Sequence, residues 1–201
     1  MVLYVLVFLL ALPAPKVATL LLFAIIAIWS RVPALMTQFT KDVEVVDFTA
    51  VVITIYMGPF IGAIFGSGII LFTRLFGPTE PIDYTIRDAI CFFIGAFVVA
   101  AMFKITGGNV LITMFSMTFV RYTVYPILGF IFNPGALFLD IVILSVSIPI
   151  AIISNLLLVQ IFGDSFDEIF AQGAVLNWKL LIFVTIVVGV IFVLSKFLDK
   201  E

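Results

Sequence analysis

Long apolar runs alternate with short polar breaks along almost the whole chain, and the length of each run sets the element it predicts. An α-helix rises 1.5 Å per residue, so about 20 apolar residues cross the hydrocarbon of a bilayer. Residues 1–30 are apolar except at Pro13, Pro15 and Lys16, which leave two runs each too short to cross alone. They predict one kinked span over about 3–30. A cleaved leader with Leu6–Ala11 as its apolar core is the rival, against which stand a start without positive charge and the Ala14-Pro15 junction. Arg31, Lys41, Asp42, Glu44 and Asp47 then mark 31–47 as a polar loop outside the hydrocarbon.

From Phe48 to Phe76 the chain is apolar for a length of about 43 Å as one straight helix. Gly58-Pro59 falls near its middle. Proline lacks an amide donor and disfavours helix at the residue before it, so the run predicts two short helices, 48–57 and 59–76. Gly77–Tyr84 reads as a loop. Thr85 with Asp88 matches a capping box that opens a span at 86–105. Thr106-Gly107-Gly108-Asn109 turns the chain into a span over 110–132. Asn133-Pro134-Gly135 turns it again into 136–162, making these two antiparallel neighbours. Gly163–Asn177 carries an apolar comb at Phe166, Ile169 and Phe170 behind a capping pair, Ser165 and Glu168, and predicts a short interfacial helix. A last span over 178–198 has Trp178 and Lys179 at one interface and Lys196, Asp199 and Lys200 at the other. The expected fold is an all-α polytopic transmembrane bundle of six to seven spans with a Gly-Pro helix break, forming one integral membrane domain over 1–201.

Composition agrees: of 201 residues, 64% are hydrophobic and only 11% charged, against about 25% charged in soluble domains. Nothing is left over for an extramembrane domain. No histidine and one cysteine, Cys91, remove the usual ligands for zinc, haem and iron-sulfur clusters and the usual nucleophile systems. No catalytic or metal-ligating set, no cofactor and no ATP-hydrolysing loop is expected, and the chain does not read as an enzyme. A net charge of -2 without a basic patch speaks against nucleic acid as a partner. With 48–76 counted as two crossings, Arg31, Lys41, Arg74, Arg87, Lys196 and Lys200 share one side, which the positive-inside rule places in the cytoplasm.

Candidate chemistry lies within the spans. Arg121 sits midway along 110–132, where a guanidinium costs several kcal/mol or more unless it finds an anion, a carbonyl cage or water. Met114, Thr118, Arg121 and Tyr125 share a helix face, with Tyr122 adjacent. This face is either a pocket in which Arg121 binds a carboxylate or phosphate, or the seat of an internal ion pair. On the next span Asp140, Ser147 and Ser154 recur every seven residues with Asn155 beside them. Counted from the shared turn, Arg121 is about 18 Å deep and Asp140 about 8 Å, too far apart for a direct pair without stretching or a bridging water. Arg121, Thr118, Tyr125, Asp140 and Ser147 are the candidate ligand-binding residues. Gly58, Gly62 and Gly66, four apart, form a side-chain-free face for helix packing or subunit docking. Asp42, Glu44 and Asp47 precede a helix whose dipole they complement, and Arg87 and Asp88 have the same structural default.

The stretch Val46-Asp47-Phe48-Thr49 through Tyr56-Met57-Gly58-Pro59-Phe60-Ile61-Gly62-Ala63-Ile64-Phe65-Gly66 resembles the second and third helices of substrate-binding S components of energy-coupling-factor transporters. The likeness covers about 46–76. It implies a membrane-embedded vitamin-binding subunit that docks on a coupling protein driven by two ATPases. The histidine motif of the nickel and cobalt members is absent, and 178–198 is a span beyond that family's six. The family orientation would put the 31–47 loop outside, against the charge count. The expected function is therefore a non-catalytic, vitamin-like solute-binding subunit of a multi-subunit transporter, multi-pass in a prokaryotic cell membrane. The alternative is a non-catalytic structural subunit of a larger membrane complex. The expected partners are lipid, other membrane subunits, a coupling protein with ATPases, and a small-molecule ligand.

Overall fold

A computed structural model describes residues 2–10, 13–36, 45–76 and 81–163. They form seven α-helices: α1 (Val2–Leu10), α2 (Pro15–Met36), α3 (Val46–Met57), α4 (Pro59–Thr73), α5 (Ile82–Ile105), α6 (Val110–Phe132) and α7 (Leu137–Phe162). The expected all-α bundle is what forms, with no strand among the described residues. Ile82–Ile105, Val110–Phe132 and Pro134–Phe162 are long and apolar enough to cross a membrane, so the chain is built as a membrane protein. Large side chains such as Phe60, Ile64, Phe93, Phe119, Ile131 and Phe138 point outward, as a lipid solvent allows. The core is the apolar side of α2, α3 and α5, centred on Phe23, Ile26, Val52, Ile53 and Phe92.

α1 and α2 are separate helices, and the Ala14 amide donates to the Leu10 carbonyl at 2.9 Å. Two expected boundaries shift. Arg31 lies inside α2 and Asp47 in the first turn of α3, so the polar connection is shorter than 31–47. α5 starts at Ile82 rather than Ile86: Pro81 precedes the helix, the Tyr84 amide donates to the Pro81 carbonyl, and Asp83 occupies the first turn. Thr85 and Asp88 are then buried helix-interior residues, not a capping box. Asn109 caps α6 instead, its side chain accepting from the Ile112 amide. Asp42, Glu44, the interfacial helix and the span over 178–198 lie outside the described residues.

The Gly-Pro break separates two helices as expected. Gly58 has φ +97°, a left-handed value that glycine adopts at no steric cost, and Pro59 opens α4 where its missing amide would be unpaired anyway. α3 and α4 have 12 and 15 residues, about 18 and 22 Å, so neither crosses about 30 Å of hydrocarbon alone. They fold back on each other with Thr54 against Gly62, where a methyl group on Gly62 would come within 2.9 Å of the Thr54 Cα. Gly66 takes the Phe92 ring of α5 in the same way. These two glycines therefore serve packing inside the bundle rather than a subunit face. Every residue from Val45 to Thr54 is buried, so α3 begins inside the protein.

Gly62→Ala forces the α3–α4 contact apart and should lower stability by about 1–3 kcal/mol. Gly68→Ala, which meets nothing within 4 Å, should be neutral or slightly stabilising. Thermal unfolding of the two variants in the same detergent checks this; equal midpoints would mean the hairpin is not closely packed.

A buried charged centre at the start of a broken helix

Three helices begin with a carboxylate in their first turn: Asp47 in α3, Asp83 in α5 and Asp140 in α7. Unpaired amides and the helix dipole favour negative charge there. Two arginines on α5 and α6 meet these acids.

Arg121 stands at the midpoint of α6, about 16 Å from either end. Its Nη1 donates to Asp47 Oδ1 at 2.8 Å, and its Nε and Nη2 both reach Asp88 Oδ1 at 3.4 Å. The guanidinium lies over the Phe92 ring with its carbon 5.0 Å from the centroid. Arg121, Asp47 and Asp88 are exposed by only 6%, 2% and 2%, which leaves water little part in solvating them. On the α7 side, Asn155 lies near the Asp47 carboxylate and donates to Thr118 Oγ1 at 3.3 Å. Cys91, three residues beyond Asp88 and fully buried, faces the same charges.

The second centre is built on Arg87. Its Nη1 donates to Asp140 Oδ2 at 2.6 Å and its Nη2 to Asp83 Oδ2 at 3.3 Å. The guanidinium carbon lies 4.1 Å from the Tyr84 ring centroid and 4.7 Å from that of Tyr125, so two aromatic faces take part of the charge. The pair joins α5 to α7 across α6, and Gly129 makes the passage. A Cβ there would sit 2.5 Å from Arg87 Nη1 and 2.6 Å from Asp140 Oδ2.

The structure distributes the sequence candidates between these centres. Arg121 and Thr118 belong to the first. Tyr125 and Asp140 belong to the second, so Asp140 and Arg121 are not partners, in keeping with their difference in depth. Ser147 is buried between the two, where its carbonyl accepts from the Tyr122 hydroxyl at 3.4 Å. The inward face of α7 runs through Asp140, Ser147, Ala151 and Asn155, with Ser154 only half-buried. Each Arg121 nitrogen donates to a carboxylate of this chain, so of the two readings of that residue the internal ion pair is the one formed. Sequence reasoning gave Asp47, Arg87 and Asp88 structural end-of-helix roles, and their burial in the two centres was missed. The available signal was three ionisable residues immediately beside or inside apolar runs, in a chain with only 10 basic and 12 acidic residues.

Between α6 and α7 lies a pocket of about 10 Å³, lined mainly by Leu111, Phe115, Thr118, Ile152, Asn155 and Val159. It holds about one water. Its polar wall is the Thr118–Asn155 hydrogen bond.

Fold and site together define a class: an all-α membrane protein with paired charges buried around the start of a discontinuous helix. No family model matches the chain, and no curated protein or solved structure matches it either.

Removing one partner of a buried ion pair strands the other charge, whereas replacing both by apolar groups does not. Arg87→Met, which strands Asp140, should cost about 3–5 kcal/mol, and Arg87→Met with Asp140→Leu should recover most of that loss. Unfolding midpoints of the two single variants and the double variant measure the coupling. Additive losses would mean the pair is not energetically closed.

Proposed function

We propose that the protein is a non-catalytic, membrane-embedded subunit that binds a small, vitamin-like solute for a multi-subunit transporter in a prokaryotic cell membrane. The observation that carries this reading is the Asp47–Arg121–Asp88 centre halfway along α6. Ionisable groups at such depth are costly, and a buried ion pair is seldom the cheapest route to stability, so they mark solute or ion paths in membrane proteins. The discontinuous α3–α4 element supports the same reading. Broken helices whose ends lie inside the bundle are tolerated where they line a binding region, and their amide ends orient charge there. The likeness of residues 46–76 to transporter S components points the same way, with a coupling protein and ATPases as partners.

A second reading, a structural subunit of a larger membrane assembly, is favoured by one specific observation. Both arginines are engaged by acids of this chain, and the pocket beside the centre has room for only about one water.

Gentle affinity purification from the native membrane, followed by native mass spectrometry, separates the two. The transport reading expects two ATPases and a coupling protein, and a small molecule that stays bound to the intact chain but is lost from Asn155→Leu. A fixed set of other membrane subunits with no ATPase and no bound small molecule overturns it in favour of the structural role.

A further inference from the structure

α7 is held to the bundle differently along its length. At its start the Arg87–Asp140 pair, 2.6 Å and fully buried, ties it through the Gly129 passage to α5. Nine residues on, Pro149 has no amide, so the helical hydrogen bond onto the Ser145 carbonyl cannot form and the helix bends there at low cost. Beyond Pro149, Asn155 of α7 donates to Thr118 of α6 at 3.3 Å, beside the pocket that separates the two helices. Of the three helices long enough to cross a membrane, α7 buries the smallest part of its apolar surface within the described bundle. What this half of α7 covers is the charged centre: the Phe162 ring packs on Phe48, the residue after Asp47, at 6.1 Å, and Asn155 lies near the Asp47 carboxylate.

We propose that the half of α7 beyond Pro149 is a hinged cover over the Asp47–Arg121–Asp88 centre, anchored at Asp140–Arg87, latched at Thr118–Asn155, and opening along the seam between α6 and α7. A strong anchor, a missing backbone bond and, beyond it, one neutral hydrogen bond with the Phe48–Phe162 ring contact give a segment that swings without α7 leaving the bundle. The seam already has a partial gap at the latch, so opening enlarges an existing space. The cover supplies the route by which a solute reaches the centre in the transport reading and rests on that reading for its purpose, while the motion itself is measurable with no solute present.

Cys91 is a native reporter, because it is the sole cysteine, is fully buried and faces the covered charges. The experiment follows the rate at which a small uncharged maleimide modifies Cys91 in the full-length protein in lipid nanodiscs. Thr118→Val and Asn155→Leu, which remove the latch, should raise the rate about five- to tenfold, the scale set by one buried hydrogen bond. Pro149→Ala, which restores the backbone bond, should lower it below the wild-type rate. Gly62→Ala, which disturbs the α3–α4 contact away from α7, should leave it within about twofold. An unchanged rate in both latch variants overturns the cover. So does an equal rise in Gly62→Ala, which would make the opening a general loosening of the fold. Because no solute enters the assay, a failure here leaves the transport reading to its own purification experiment.

Discussion

A guanidinium at the middle of a helix long enough to cross a bilayer must be solvated by the protein itself, and the surroundings of Arg121 meet that demand from three directions. α3 brings Asp47 at its amide-rich first turn, α5 brings Asp88, and the Phe92 ring lies under the charge. None of these helices can move far without leaving a charge unpaired in an apolar medium, a loss of several kcal/mol for one partner of a buried pair. The break at Gly58-Pro59 follows from the same requirement. A continuous helix over 46–73 would run about 42 Å in one direction. By folding back, the chain keeps α3 buried from Val46 to Thr54, with its first turn at the depth of Arg121, while α4 packs along α5.

The Arg87 centre works on the same physics nearer the start of α5. Asp140 and Asp83 sit in first helical turns, the guanidinium is sandwiched by Tyr84 and Tyr125, and Gly129 lets the pair through α6. Among the described residues α7 buries less apolar surface than α5 or α6, its core contact being Phe162 with Leu158 and Val159. Polar contacts at Asp140, the Ser147 carbonyl and Asn155 also hold it, which is how helices associate where lipid is as apolar as leucine. Such contacts are directional and few. They locate α7 at its start, while among the described residues the part beyond Pro149 is held by the Asn155–Thr118 bond and by Phe162 packed on Phe48.

The class of fold was legible in the chain. Run lengths fix which segments are helices able to cross a membrane, and 110–132 was read with the bounds it has. Gly58-Pro59 fixed the break because proline's missing donor and glycine's tolerance of positive φ are local properties. The inward face of α7 was legible too, since seven-residue spacing places Asp140 and Ser147 on one side of any helix. Local rules failed where charge met helix ends. Thr85 and Asp88 fit a capping box by spacing, yet Pro81 starts the helix a turn earlier and both residues become interior.

Sequence alone thus determined that the chain is helical, that it belongs in a membrane, and that Arg121 must find compensation within it. Only the tertiary structure decided what compensates it. Asp47 and Asp88 lie 74 and 33 residues from Arg121 along the chain, and Asp140 lies 53 from Arg87. Such pairings depend on the angles at which helices cross, and those are set by close contacts such as Gly62 on Thr54 and Gly129 beside Arg87. Periodicity places a residue on a face of its own helix; which partner that face meets is a property of the assembled bundle.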